Sequence, residues 1–189
     1  MQELDYWFLD TDVHAFVKLA YASILCFVQL RQRIRINQVP PQLEHVLRPF
    51  SKELGTPSAC FVSLKKAGML RGCIGTIEPA TSSLAEEIAE NAVSAASRDP
   101  RFPPVKDAEL RDITVSVDVL TPPQPATYKE LDPKKLGVIV KQGYRRGLLL
   151  PDLPEVTTAD TQLRIAAQKG GIDLDRPHDL YVFTVDRYF

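Results

Sequence analysis

Apolar residues return every three or four positions at Val13, Phe16, Val17, Ala20, Ile24, Phe27, Val28 and Leu30. That is the broad stripe of a helix laid on a core, and it predicts one over about 12–33. Thr11 or Asp12 is placed to cap its first amides. Asn37 to Pro41 interrupts the pattern, and Gln42 to Leu54 forms a weaker amphipathic segment ended by Gly55 and Pro57. The period then changes. Cys60 to Lys65 and Met69 to Ile77 are rich in β-branched and apolar residues and flank Lys66-Ala67-Gly68, which predicts a hairpin. Alternation on the second strand puts Met69, Arg71, Cys73, Gly75 and Ile77 on one face and Leu70, Gly72, Ile74 and Thr76 on the other. Arg71 and Cys73 are then same-face neighbours.

Ser83 followed by Glu86 is a capping-box pattern, and Leu84, Ile88, Ala92, Ala95 and Ala96 carry a helix to about Ser97, where Asp99-Pro100 stops it. Ile113 to Leu120 alternates as a half-buried strand does, and Pro122-Pro123-Gln124-Pro125 makes a stiff connection after it. An echo follows. Lys66-Ala67-Gly68-Met69-Leu70-Arg71-Gly72 and Lys141-Gln142-Gly143-Tyr144-Arg145-Arg146-Gly147 share Lys-x-Gly-x-x-Arg-Gly at an offset of 75 residues, and the same offset carries Ser83 onto Thr158. Thr158 opens a helix through Leu163, Ile165, Ala166 and Ala167 to a stop at Gly170-Gly171, and Leu180 to Val185 supplies a last strand. The order hairpin, helix, strand thus occurs twice, over about 58–120 and 133–187 of a single domain at 1–189. In this alignment Arg71 and Arg146 are equivalent, while Leu148 stands where Cys73 does.

Composition narrows the classes of function. The 189 residues, 44% of them hydrophobic, suffice for a sizeable core. Lysine plus arginine number 23 against 24 acidic residues, without the basic excess that phosphate-backbone binding brings, so nucleic acid is not an expected partner. The longest apolar run, Ala20 to Val28 with Ser23 inside it, falls short of the roughly 20 residues that span a bilayer. The start, Met1-Gln2-Glu3-Leu4-Asp5, has no basic leader segment. Three cysteines without paired spacing fit a reducing cytoplasm, the expected location.

Candidate chemistry centres on Leu70-Arg71-Gly72-Cys73-Ile74-Gly75-Thr76. A cysteine works as the thiolate, which a nearby cation such as Arg71 favours, and the flanking glycines admit a backbone or ligand where a Cβ would collide. Cys73 is the candidate catalytic or contacting residue, of unnamed reaction, with Arg71, Gly72, Ile74 and Gly75 as ligand-binding neighbours. Each has a bland alternative. Free cysteine is often merely buried, and that account is preferred for Cys26 and Cys60. A Cys60 to Cys73 disulfide is rejected because the hairpin register places Cys73 nearer Phe61 or Val62. Arg71 and Arg146 suit structural ion pairs. Glu78, at the end of the strand, is a candidate acid or base, against a solvated turn carboxylate. Asp99 and Arg101 are candidate ligand clamps, against a plain Asp-to-Arg contact with Phe102 tucked into the core. His14, His45 and His178 show no metal-ligand spacing, no nucleotide-binding motif occurs, and the sequence supports no cofactor. A Cys73 to His178 dyad rests on residue type alone.

The same run resembles the signature of the AMMECR domain family, whose bacterial members are also called AmmeMemoRadiSam system protein A. Phe61-Val62-Ser63-Leu64 with Lys66 and Gly68 precedes it, and Asn91-Ala92, Ala95-Ala96, Asp99-Pro100-Arg101-Phe102 and Pro104-Val105 follow at the family's spacing. Glu109-Leu110, Val117 to Leu120, Gly143, Arg145 to Pro151 and Gly170-Gly171 extend the likeness over most of the chain. The resemblance implies an α+β fold, mainly antiparallel, in two interlocked lobes with a cleft beside the signature. It implies no settled activity, though bacterial relatives resemble one component of a set with a Memo-like and a radical SAM protein. Family members often resemble one another in a cysteine within the last helix and a tryptophan shortly after it; this chain has Ala166-Ala167 and only Trp7, so a second thiol in the mechanism is not expected.

Three functions compete. The first is a small-molecule or modified-residue site in the cleft around Cys73. The second is a non-enzymatic module taking a partner's peptide in the same cleft, its rim stiffened by Pro122, Pro123, Pro125, Pro151 and Pro154. The third is RNA binding through Lys141, Tyr144, Arg145 and Arg146.

Overall fold

A computed structural model of the chain describes residues 4–189. It divides into two compact units, one from residues up to Val119 together with Arg187–Phe189, the other from Leu120–Asp186. Helices α1 (Ala15–Leu30), α2 (Pro41–Leu47), α3 (Ser51–Gly55), α4 (Leu84–Ser97) and α5 (Ala159–Gly170) accompany strands β1 (Cys60–Lys66), β2 (Met69–Gly75), β3 (Ile113–Leu120), β4 (Gln124–Ala126), β5 (Gly137–Gln142), β6 (Arg145–Leu149), β7 (Asp179–Phe183) and β8 (Val185–Tyr188). Two four-stranded sheets result, ordered β2-β1-β3-β8 and β4-β7-β5-β6, with antiparallel pairing throughout the registered ladders. The chain is α+β.

In the first unit α4 packs on β1 and β2, and α1 packs on α4. Leu19, Ile24, Leu25, Val62, Leu64, Ile88 and Val117 fill the space between them and are fully buried. Ala92, Ala95 and Ala96 keep α4 close to the sheet, as its alanine-rich face predicts. Ser83 caps α4 through its hydroxyl, 3.3 Å from the Glu86 amide. In the second unit α5 packs on β6 and β5 over Val138, Val140, Leu149, Leu163, Ala166 and Ala167. Thr158 caps α5, accepting from the Thr161 amide at 3.1 Å, and Gly171 ends it with φ +61°.

Several expectations are corrected. The first helix is capped by His14, whose Nδ1 accepts from the Phe16 amide at 3.2 Å, because the Thr11 hydroxyl is turned back to the Phe8 carbonyl at 2.6 Å. Pro49 divides the segment from Gln42 to Leu54 into α2, a short 3₁₀ turn and α3. The proline-rich connection contains β4, whose Pro125 needs no ladder donor at a sheet edge. The last strand expected ends at Phe183, and β8 follows it.

The two hairpins turn differently. Lys66 pairs with Met69 across Ala67-Gly68, whose φ values of +49° and +78° are those of a type I′ turn. Gln142 pairs with Arg145 across Gly143-Tyr144, where Gly143 alone has positive φ, +61°, as a type II′ turn requires.

Candidate functional site

Strand β2 lies at the edge of its sheet. Lys65 pairs with Leu70 but Leu64 pairs with Gly72, so Arg71 is an extra residue in a bulge. In the second hairpin Lys141 pairs with Arg146 and Val140 with Gly147, without interruption. Arg71 and Arg146 are therefore not equivalent in register, contrary to the echo; Gly72 and Gly147 are. The bulge also breaks strict alternation along the signature, and Arg71 and Cys73 are held by different partners.

Each glycine beside Cys73 has a packing cause. A Cβ on Gly72 would stand 2.3 Å from the Ala95 carbonyl oxygen of α4. A Cβ on Gly75 would stand 2.2 Å from the Phe61 ring, which lies across it. One glycine admits a helix and the other a ring, which fills the space the sequence reading left for a ligand. Ile74 is half-buried against the core on the helix side.

Cys73 is half-buried and pairs with Ser63, not with Phe61 or Val62 as the uninterrupted register predicted. The Ser63 hydroxyl donates to the Cys73 Sγ at 3.2 Å. Ser63 in turn pairs with Ser116 of β3, and Phe61 with Asp118, so two rows, Cys73-Ser63-Ser116 and Gly75-Phe61-Asp118, cross the sheet on one face. Asp118, 3% exposed, is matched by the forked Arg187 guanidinium at 2.7 and 3.2 Å.

The segment after α4 closes the edge. The Cys73 amide donates to the Asp99 Oδ2 at 2.8 Å, and Arg101 Nη2 donates to the Cys73 carbonyl at 3.2 Å. Asp99 and Arg101 also pair with each other at 2.9 and 2.7 Å. Arg101, with the Cys73 amide as a further donor, holds the Asp99 carboxyl well below the usual carboxylate range. The guanidinium at Cys73 is thus that of Arg101, whose Cζ also sits 5.5 Å from the centre of the half-buried Phe102 ring. Phe102 is not part of the buried core.

Arg71 makes a two-pronged pair with Glu109 at 3.1 and 3.0 Å and donates to the Pro103 carbonyl at 2.9 Å. Arg71, with the Lys106 amide and Lys66 assisting, lowers the Glu109 carboxyl to about 2. Glu78 is exposed in a bend, three residues beyond the end of β2. Besides Asp118, sequence reasoning missed a second buried carboxylate, Glu87, 1% exposed on α4. It accepts from the Ala80 and Thr81 amides at 3.0 and 2.9 Å and from the Thr76 hydroxyl, and so folds the loop that follows β2. Its signal was a charged residue three places after Leu84 on the apolar face of that helix.

Of the other thiols, Cys60 is buried in the core as its bland account held, whereas Cys26 is half-buried. Cys60 is fully buried and burial pushes its pKa up to about 12, against the opposing hydrogen bond from Asn91; burial also raises Cys26. No group of three or more potential metal ligands occurs among the described residues. No helix among them is long and apolar enough to cross a membrane. Tyr144, 89% exposed, stands at the second hairpin's tip with Arg145 Cζ 5.9 Å from its ring centre. A surface cleft of about 670 Å³ lies elsewhere, between Arg33-to-Asn37 and the first turns of α4, and no signature residue lines it.

Comparison with known proteins gives a consistent result. Residues 17–188 match the AMMECR1 family. A Thermotoga maritima protein is 49% identical over 93% of this chain and 97% of its own length. A Clostridium acetobutylicum protein is 45% identical over 92% of this chain, which spans only 35% of that longer protein. The crystal structure of an uncharacterised Pyrococcus horikoshii protein superposes with a TM-score of 0.77 at 30% identity, covering 91% of this chain and 88% of that one.

Proposed function

The chain belongs to the AMMECR1 family, and from that premise we propose that it binds or modifies a small molecule or modified residue at Cys73. The observation that carries this reading is the mounting of the thiol. Its backbone is clamped at both polar atoms by Asp99 and Arg101, its sulfur takes a hydrogen bond from Ser63, and it remains half-buried rather than enclosed. A nucleophile gains from such fixed placement, because little freedom is then lost on reaction. Asp99 and Arg101 act here as positioning residues, and Arg71 holds the strand to Glu109 behind them. Ser63 and Ser116 extend the polar row and suit a ligand with hydrogen-bonding groups. The Memo-like and radical SAM partners of the family's bacterial set supply the context, a shared modification pathway.

The test is intact-mass and peptide mass spectrometry of the protein after exposure to a metabolite extract. An adduct mapped to the Cys73 peptide in the parent and lost in Cys73→Ser is the expected result. Adducts unchanged by that substitution contradict the reading. A second reading, the non-enzymatic interaction module, is favoured by one observation: Met69 and Leu70, at the signature hairpin's tip, are 71% and 42% exposed. It predicts that Met69→Lys abolishes partner capture while Cys73→Ser leaves it intact.

A further inference from the structure

An imidazole nitrogen can accept a hydrogen bond from a backbone amide only while it carries no proton. His14 Nδ1 caps α1 in this way, 3.2 Å from the Phe16 amide, whereas α4 and α5 are capped by the hydroxyls of Ser83 and Thr158, which do not titrate near neutrality. The half-buried His14 ring also sits among other rings, its centre 4.6 Å from that of Phe16, 4.7 Å from Phe50 and 4.3 Å from Tyr188. Phe16 meets Phe50 and Tyr188 in turn, at 5.6 and 4.8 Å. The His14 main-chain amide donates to the Phe189 oxygen at 2.8 Å. One residue thus joins the start of α1 to the end of β8, the strand whose Arg187 matches the buried Asp118.

The surroundings of the ring do little to hold a cation. On its own helix the Lys18 ammonium is held by the Leu9 carbonyl at 2.8 Å, and Arg48 and Lys52, on either side of Phe50, add like charge. On β8 the Arg187 guanidinium is turned to Asp118, while Asp186, like Asp12 before the helix, is exposed to solvent that screens it. The Phe189 oxygen is turned to the His14 main-chain amide. Burial holds the His14 pKa below its ordinary 6.5. A depressed folded value gives stability that is present above the unfolded value and lost as pH falls through it toward the folded one.

We propose that His14 is a pH-sensitive latch: uncharged, it caps α1 and holds the end of β8 beside it, and on taking a proton at Nδ1 it releases both. The proton fills the accepting lone pair, leaves the Phe16 amide without its partner and puts positive charge at the positive end of the α1 dipole. The imidazolium then turns to water, and Tyr188 and Phe189 lose their contacts with it. The latch needs no reactive thiol and stands apart from the Cys73 reading.

The experiment is an NMR titration of the full chain from about pH 8 to about pH 5. Imidazole nitrogen shifts report the tautomer and pKa of His14 beside those of exposed His45, and amide exchange, corrected for its intrinsic pH dependence, follows Phe16 and His14. The Glu86 and Thr161 amides, capped by hydroxyls at 3.3 and 3.1 Å, are internal controls. At the alkaline end His14 should carry its proton on Nε2 and should titrate below 6.5. Protection of the Phe16 and His14 amides should then fall at least about tenfold, with no such fall at Glu86 and Thr161. His14→Asn supplies an acceptor that does not titrate and should abolish the fall. A proton on Nδ1 at the alkaline end, a pKa at or above 6.5, protection unchanged across the titration, or an equal fall in folded His14→Asn would each overturn the proposal. Should His14→Asn unfold, the parent's titration decides.

Discussion

The hairpins β1–β2 and β5–β6 meet their helices in the same way and differ in what they do at the free edge. In both, a glycine in the second strand lets a helix carbonyl approach: Gly72 toward Ala95 in one, Gly147 toward Ala166 in the other, where an added Cβ would stand 2.3 and 1.8 Å from oxygen. One residue further on they diverge. Leu148 is 5% exposed, whereas Cys73 is half-buried, bonded to Ser63 and clamped at its backbone. The first hairpin also carries the Arg71 bulge, absent from the second. Contact with the helix is thus served by glycine in both, and the features of the first hairpin that the second lacks, the bulge, the backbone held by Asp99 and Arg101 and the thiol, lie together on its outer strand.

The largest effects should fall on what is shared. Gly147→Ala and Gly72→Ala force a Cβ into helix backbone and should each cost about 3 kcal/mol, Gly147→Ala the more, by urea denaturation. Loss of under about 1 kcal/mol in either would show that the helix yields and that the shared contact is loose. Next comes the position where the hairpins part. Leu148→Ala should cost about 2–3 kcal/mol and Cys73→Ala less than about 1, since only the former leaves a cavity in a core. Equal losses would return Cys73 to the category of packing.

A smaller effect separates the hairpins by pH. Glu109, whose ordinary value is 4.5, is lowered to about 2 in the folded chain by Arg71. A depressed folded pKa gives stability that is present in full above the unfolded value and lost as pH falls from about 4.5 toward 2. Glu109→Gln should therefore lower stability near neutrality and flatten its decline across that window; an unchanged acid limb in thermal melts would remove Arg71–Glu109 from the account. Asp99 adds to the same limb in the same sense, its carboxyl held low by Arg101.

Much of the frame was legible in the chain. Helical periodicity located α1, α4 and α5, and Ser83 and Thr158 cap as their positions predicted. What failed did so for identifiable reasons. Lys-x-Gly-x-x-Arg-Gly aligned Arg71 with Arg146 because letters count residues and ladders count rungs; a bulge adds the first without the second. The partners of Cys73 were quoted in the family likeness, yet their roles depend on how the chain turns after α4, which no local propensity encodes. Glu87 and Asp118 were hidden in an apolar helix face and an alternating strand, where only burial distinguishes an organising carboxylate from a solvated one.

Of the three thiols, Cys73 is the one we propose to be mounted for contact with a ligand. The most direct measurement is the rate of iodoacetamide alkylation of each cysteine in the folded protein at neutral pH, followed by peptide mass spectrometry. Reactivity depends on access and on the thiolate, so Cys73 should be alkylated at least about tenfold faster than Cys60, whose thiol burial holds near 12, and faster than Cys26. Cys73 reacting no faster than Cys60 would contradict the account.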